Sequence, residues 1–125
     1  MLDKVRENLI FSYKDYKIHN ILNYHNYIYA AERAKRWIER YTIRGNGIAV
    51  TSRQRVIYQE VTGYYIPTLL QWGMRDRAIE YARWLCEVQR ASGAWLSFDL
   101  KHESVFNTGQ VLRGLSAIYN ILPEV

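Results

Sequence analysis

The chain is 125 residues long, enough for one domain and short for two of ordinary size. It is 49% apolar and 23% charged with only two prolines, a mixture that excludes a disordered chain. A single cysteine, Cys86, excludes an intrachain disulfide framework and a multi-cysteine zinc site, and the formal charge of +5 is spread without any run of basic residues.

Residues 1–22 read as a leading helix, with Leu2, Val5, Leu9, Tyr13 and Tyr16 on one stripe. This stretch is too charged for a secretory signal, and no apolar run reaches membrane-spanning length, so a cytoplasmic protein is expected. Residues 23–73 form a first hairpin. Its helix over 27–44 carries the stripe Tyr27, Ala30, Ala31, Ala34, Trp37, Ile38 and Tyr41. Gly45-Asn46-Gly47 breaks that helix, and a second helix covers 56–72. Within it Pro67 falls four residues after Gly63, where it deprives the Gly63 carbonyl of its amide partner. Residues 74–122 form a second hairpin: a helix over 74–90 with Ala78, Tyr81, Ala82, Leu85 and Val88 on one face, a break at Ser92-Gly93, and a helix over 105–122. Gly47 to Thr51 is apolar but too short to count as a strand. The predicted class is all-α, one repeat domain of about five helices.

The helices are of two kinds. Residues 27–44 and 74–90 carry seven charges each, whereas 56–72 carry only Glu60 and 105–122 only Arg113. A helix with a charged face lies on a surface, and one apolar nearly all round is expected to be buried. Residues 1–55 hold eleven Lys and Arg against five Asp and Glu, but these are interleaved along helix faces, and nucleic acid is not an expected partner. An internal repeat underlies the alternation. Arg36-Trp37-Ile38 matches Arg83-Trp84-Leu85 at an offset of 47; Asn46-Gly47 matches Ser92-Gly93, and Thr62-Gly63 matches Thr108-Gly109, at 46. Repeats of this length stack as helical hairpins, because one hairpin cannot bury its own apolar face.

Four segments carry a resemblance: Glu60 through Leu70, Ala82-Arg83-Trp84-Leu85, Gln89 through Trp95, and Val105 through Leu115. Together they resemble the (α/α) toroid repeat of terpenoid cyclases, prenyltransferases and glycan-processing proteins such as uronyl hydrolases and sugar epimerases. Gln89 to Trp95 is similar to the QW motif of squalene-type cyclases. Phe106-Asn107-Thr108-Gly109-Gln110 resembles a motif of toroid proteins from bacterial polysaccharide loci. The resemblance implies an open section of a toroid over residues 25–122, with fewer hairpins than a closed ring requires. Either the chain is a piece of a longer protein or several copies complete one another. Self-association, or docking onto another toroid segment, is therefore expected.

In toroids the ligand sits where the inner helices begin, which maps here to residues 56–65 and 94–110. Glu60, the only charge in its helix, is a candidate acid or base. Asp99 and His102, three apart in the loop before the last helix, are candidates for an acid–base pair. Tyr64 and Trp95 are candidate platforms for a sugar's C–H face, and Asn107 and Gln110 candidate donors and acceptors for its hydroxyls. Each has a structural counterpart: a carboxylate at a helix start, loop charge, core aromatics and a helix cap. No metal or cofactor is expected. Asp3, Asp15, Asp76 and Asp99 are isolated from one another, which disfavours the Asp-rich chemistry of terpenoid cyclases. The leading expectation is a saccharide-binding or glycan-processing module whose reaction the sequence does not name. The other is a noncatalytic helical-repeat module that binds a protein or its own copies.

Overall fold

The computed structural model describes residues 26–122. The leading stripe from Leu2 to Tyr16 lies outside the described residues. Contacts divide the chain into two units, Met1–Trp37 and Ile38–Val125. Helix α1 covers 26–40. Within the first unit it is stitched locally: Lys35 Nζ donates to Glu32 at 3.1 Å, and the Arg33 guanidinium lies over the Tyr29 ring. Tyr27 and Trp37, expected on an apolar stripe, are largely exposed.

The second unit runs β1 (Thr42–Ile43), β2 (Gly47–Ile48), α2 (Gln59–Gln71), α3 (Arg75–Glu87), β3 (Trp95–Leu96), β4 (Glu103–Ser104) and α4 (Val105–Tyr119). The chain is mostly helical, but it is not free of strands. β1 pairs antiparallel with β2 (Thr42 opposite Ile48), and β3 with β4 (Trp95 opposite Ser104). Strands of two residues are too short to show an alternating pattern, which is why they escape a periodicity reading. The first pair is closed by a tight turn in which Arg44 and Gly45 both take positive φ and the Asn46 amide donates to Ile43 O.

A shared hydrogen-bond pattern ties each strand to the helix that follows. Thr62 Oγ1 accepts from the Ile48 amide (3.1 Å) and donates to Tyr58 O one turn back (2.7 Å). Thr108 Oγ1 accepts from the Trp95 amide (3.0 Å) and donates to Ser104 O (2.7 Å). The offset is 47 at the amides and 46 at the threonines, so the one-residue change falls in the loop after the strand, later than Asn46-Gly47 suggests. Each hydroxyl accepts from a strand amide and so ties that strand to the first turn of the next helix. Thr62→Val and Thr108→Val keep the shape and remove the acceptor, and each is expected to cost about 1–3 kcal/mol, read from urea midpoints.

The core gathers Ile48, Tyr65, Ile66, Leu69, Ala78, Tyr81, Ala82, Leu85, Trp95 and Val111. α3 buries the face its sequence predicts. The two uncharged helices differ from each other. α2 is the more enclosed, burying Gln59, Thr62, Gly63, Tyr65, Ile66 and Leu69 and leaving Tyr64 on its open side. α4 buries only Asn107, Val111 and Gly114 and leaves Val105, Phe106, Leu112 and Tyr119 exposed. The expectation that both would be buried therefore holds for α2 and fails for α4, because α2 packs against both α3 and α4 whereas α4 leans mainly on α2.

α2 and α4 meet at glycine. A Cβ on Gly63 would stand 2.6 Å from Val111 Cα, and one on Gly114 would stand 2.1 Å from Gly63 O. The hydrogen that Gly114 carries in place of a side chain thus points at the carbonyl that Pro67 leaves without a helical amide. This is a C–H···O contact between backbones.

Candidate functional site

The starts of α2 and α4 come together around the β3 backbone. Gln59 Oε1 accepts from the Leu96 amide (2.8 Å), and Asn107 Nδ2 donates to Leu96 O (2.8 Å). Both amides are buried, so their side chains fix the junction of two helix starts and a strand. Asn107, expected to meet substrate, is part of this frame. Gln59 shares the role and was not singled out in the sequence, because a lone glutamine at a helix start carries no pattern.

At the start of α2, polar and aromatic side chains gather on its open side. The Tyr58 hydroxyl donates to the Glu60 carboxylate. Burial foremost, then the Glu60 hydrogen bond and charge, push the Tyr58 phenol up to about 12, so it remains protonated and a donor at neutral pH. Glu60 and Tyr64 stand four apart on one helical face, and Tyr64 is 41% exposed. Gln110 on α4 is half-buried, at the repeat counterpart of Tyr64.

The remaining expected residues lie elsewhere. Trp95 is 3% exposed, and its indole N–H donates to Leu85 O at 2.8 Å. That carbonyl belongs to the last turn of α3, so the ring seals the helix end and offers no face to a sugar. Gln89 Nε2 donates to Gly93 O (2.9 Å) across the same turn. In the stretch resembling a QW motif, the tryptophan thus closes α3 and the glutamine closes the turn that follows it. Asp99 and His102 do approach, with Nδ1 at 3.4 Å from Oδ2, but His102 is 78% exposed at its side chain. The Asp99 carboxylate accepts from the Ser97 hydroxyl and the Lys101 amide, the hydroxyl foremost, and these hold it down to about 2. A carboxylate so held is ionised at neutral pH and unsuited to be a general acid. It organises a turn in which Leu100 takes a positive φ of 57°. No hydrogen bond joins this turn to Glu60 or Tyr64.

Two further features were not visible in the sequence. A hollow of about 590 Å³ is lined by Arg44, Asn46, Arg55, Ile57 and Trp84, where the basic loops before α2 meet the ring from α3. A polar group at the edge of the core brings the half-buried Glu39 and Arg77 beside the buried Tyr65 and Tyr81. Arg77 pairs with Glu39 at 3.3 Å, and Tyr81 OH shares a 2.7 Å hydrogen bond with Thr42. Burial pushes the Tyr81 phenol up to about 12. Among the described residues, Glu39 Oε1 and Tyr65 OH are the buried side-chain polar atoms without a hydrogen-bond partner.

Among the described residues no three His, Cys, Asp or Glu side chains cluster as a metal site requires. No described helix is long and apolar enough to cross a membrane. No family model, curated protein or solved structure matches the chain.

Proposed function

We propose that the chain is a saccharide-binding module of (α/α) toroid type, with its ligand on the open side of α2. One observation carries this reading: a hydrogen-bonded Tyr58–Glu60 pair beside an exposed Tyr64 ring on the same side of one helix. A sugar presents an apolar C–H face and a rim of hydroxyls, and this arrangement answers both. Tyr64 supplies the stacking face, Glu60 accepts from hydroxyls, and Tyr58 holds the carboxylate in place. Gln110 contributes an amide from α4. If the module also turns a glycan over, Glu60 is the residue to act as acid or base.

The test is a binding screen of uronic-acid and neutral oligosaccharides against the wild-type chain and Tyr64→Ala. Tyr64 contributes little to the core, so its removal is expected to weaken binding roughly tenfold while leaving the melting temperature unchanged. Should turnover be found, Glu60→Gln is expected to reduce it about 10²–10⁴-fold. No binding across the panel, or binding indifferent to Tyr64, contradicts the reading.

The uncovered apolar face of α4 favours a second reading, a noncatalytic helical-repeat module that binds another helical surface.

A further inference from the structure

Two turns bring basic side chains to the hollow of about 590 Å³ beside Trp84. Arg44 stands in the tight turn between β1 and β2, and Arg55 in the loop that follows β2. That loop is fixed at its base, where the Val50 amide donates to Val56 O (2.9 Å) and the Tyr58 amide to Ile48 O (2.8 Å). Inside it the Thr51 hydroxyl accepts from the Gln54 amide at 2.9 Å. Arg55 is therefore carried on an ordered loop, one residue before the anchored Val56.

The charge at this place is not neutralised from within. No acidic side chain lines the hollow, and among the described residues Arg44, Asn46 and Arg55 have no side-chain hydrogen bond or ion pair. Glu80, which lies beside Gly45, is paired with Arg77 at 3.4 Å. The turn itself does not call for a cation. Arg44 takes a φ of 52° and Gly45 one of 77°, and in such a turn asparagine before glycine is the favoured pair. The arginine in that place adds charge to the hollow at no gain to the turn. The other wall is apolar: Val56, Ile57 and the half-buried Trp84, whose ring packs against the core. Trp84 also borders a neighbouring hollow of about 490 Å³, but there Glu87 stands with Arg90, so the excess of positive charge is confined to the Arg44 side.

We propose that the Arg44 hollow binds a phosphate monoester carried on a ring, with Arg44, Asn46 and Arg55 on the phosphate and Trp84 against the ring. Two guanidinium groups suit a doubly charged phosphate better than a single carboxylate, because each can donate paired N–H bonds to its oxygens. The volume admits a mononucleotide or a sugar phosphate. An indole accepts either ring, stacking on a base or on the C–H face of a sugar. The hollow shares no residue with the Tyr58, Glu60 and Tyr64 cluster, and the proposal does not rest on the saccharide reading there.

The experiment is calorimetric titration of the full chain with adenosine monophosphate, a hexose monophosphate, inorganic phosphate, and the unphosphorylated nucleoside and hexose. Arg44→Asn removes one cation and gives the turn its favoured residue, and Arg55→Gln removes the other from an exposed position. Neither is expected to lower the melting temperature. The expected result is that one of the ring-bearing monophosphates binds about tenfold more tightly than inorganic phosphate or its own unphosphorylated parent. Each arginine variant should weaken that binding about tenfold, and added salt should weaken it further. Tyr64→Ala should leave it unchanged. Whether the nucleotide or the hexose phosphate binds identifies the ring as base or sugar. No binding of either monophosphate by the folded wild type overturns the proposal and leaves the saccharide reading of Tyr64 standing. Inorganic phosphate bound as tightly as both monophosphates overturns Trp84 as the wall for a ring. Binding that survives both arginine variants, or that is lost in Tyr64→Ala, overturns this hollow as the site.

Discussion

Gly63→Ala is expected to unfold the second unit more readily than any side-chain truncation of similar size. The added methyl would stand 2.6 Å from Val111 Cα, which no rotamer change relieves, so the two helices must part. Overpacking of this kind costs about 1–3 kcal/mol and more where backbone meets backbone, against a gain of about 1 kcal/mol in helix propensity. A net loss of about 2–3 kcal/mol corresponds to a fall of roughly 10–20 °C in melting temperature for a unit of this size. Gly114→Ala, which drives its methyl to 2.1 Å from Gly63 O, is expected to be worse. Differential scanning calorimetry of the two variants checks this. A loss below about 0.5 kcal/mol in both would mean that α2 and α4 do not approach as closely as described.

Trp95→Ala is the second large effect. It empties the space of a ring that is 3% exposed and removes the indole donor from the Leu85 carbonyl at the end of α3. Deleting a buried large aromatic costs about 3–5 kcal/mol. Trp95→Phe keeps most of the volume and loses only the donor, for about 1–2 kcal/mol. Denaturant titration separates the two. Neither substitution is expected to alter saccharide affinity in protein that remains folded, because the ring faces the core. A stable Trp95→Ala that loses affinity would return Trp95 to the ligand.

The four described helices and their order were legible in the sequence, because their periodicity and charge contrast are strong over a dozen residues. The face buried by α3 follows directly from Ala78, Tyr81, Ala82 and Leu85. What composition could not reveal is which uncharged helix is enclosed. α2 and α4 are equally poor in charge, and only the number of neighbours packed on each separates them. The short strands were hidden because two residues carry no period. Their positions follow instead from Thr62 and Thr108, whose Thr-Gly repeat was visible while its hydrogen-bonding purpose was not.

The candidate site was legible in part for the same kind of reason. Glu60 stood out as a lone charge and does meet a partner, Tyr58, two residues earlier. Trp95 and Asn107 stood out by residue type, and type alone does not tell a ring that seals a helix end from one that faces a ligand. Asp99 and His102 are near each other as their spacing implies, yet Ser97 and the Lys101 amide claim the carboxylate. Chemistry-bearing residues in loops are read ambiguously because turns recruit the same hydroxyls and carboxylates as active sites do.

The most direct measurement is an amide-resolved NMR titration of the chain with one acidic and one neutral trisaccharide. The saccharide reading predicts shifts that saturate and concentrate at Tyr58, Glu60, Tyr64 and Gln110, with the amides of Asp99, His102 and the α4 outer face unmoved. Shifts that gather on α3 and α4 instead, or none with either sugar, would contradict it.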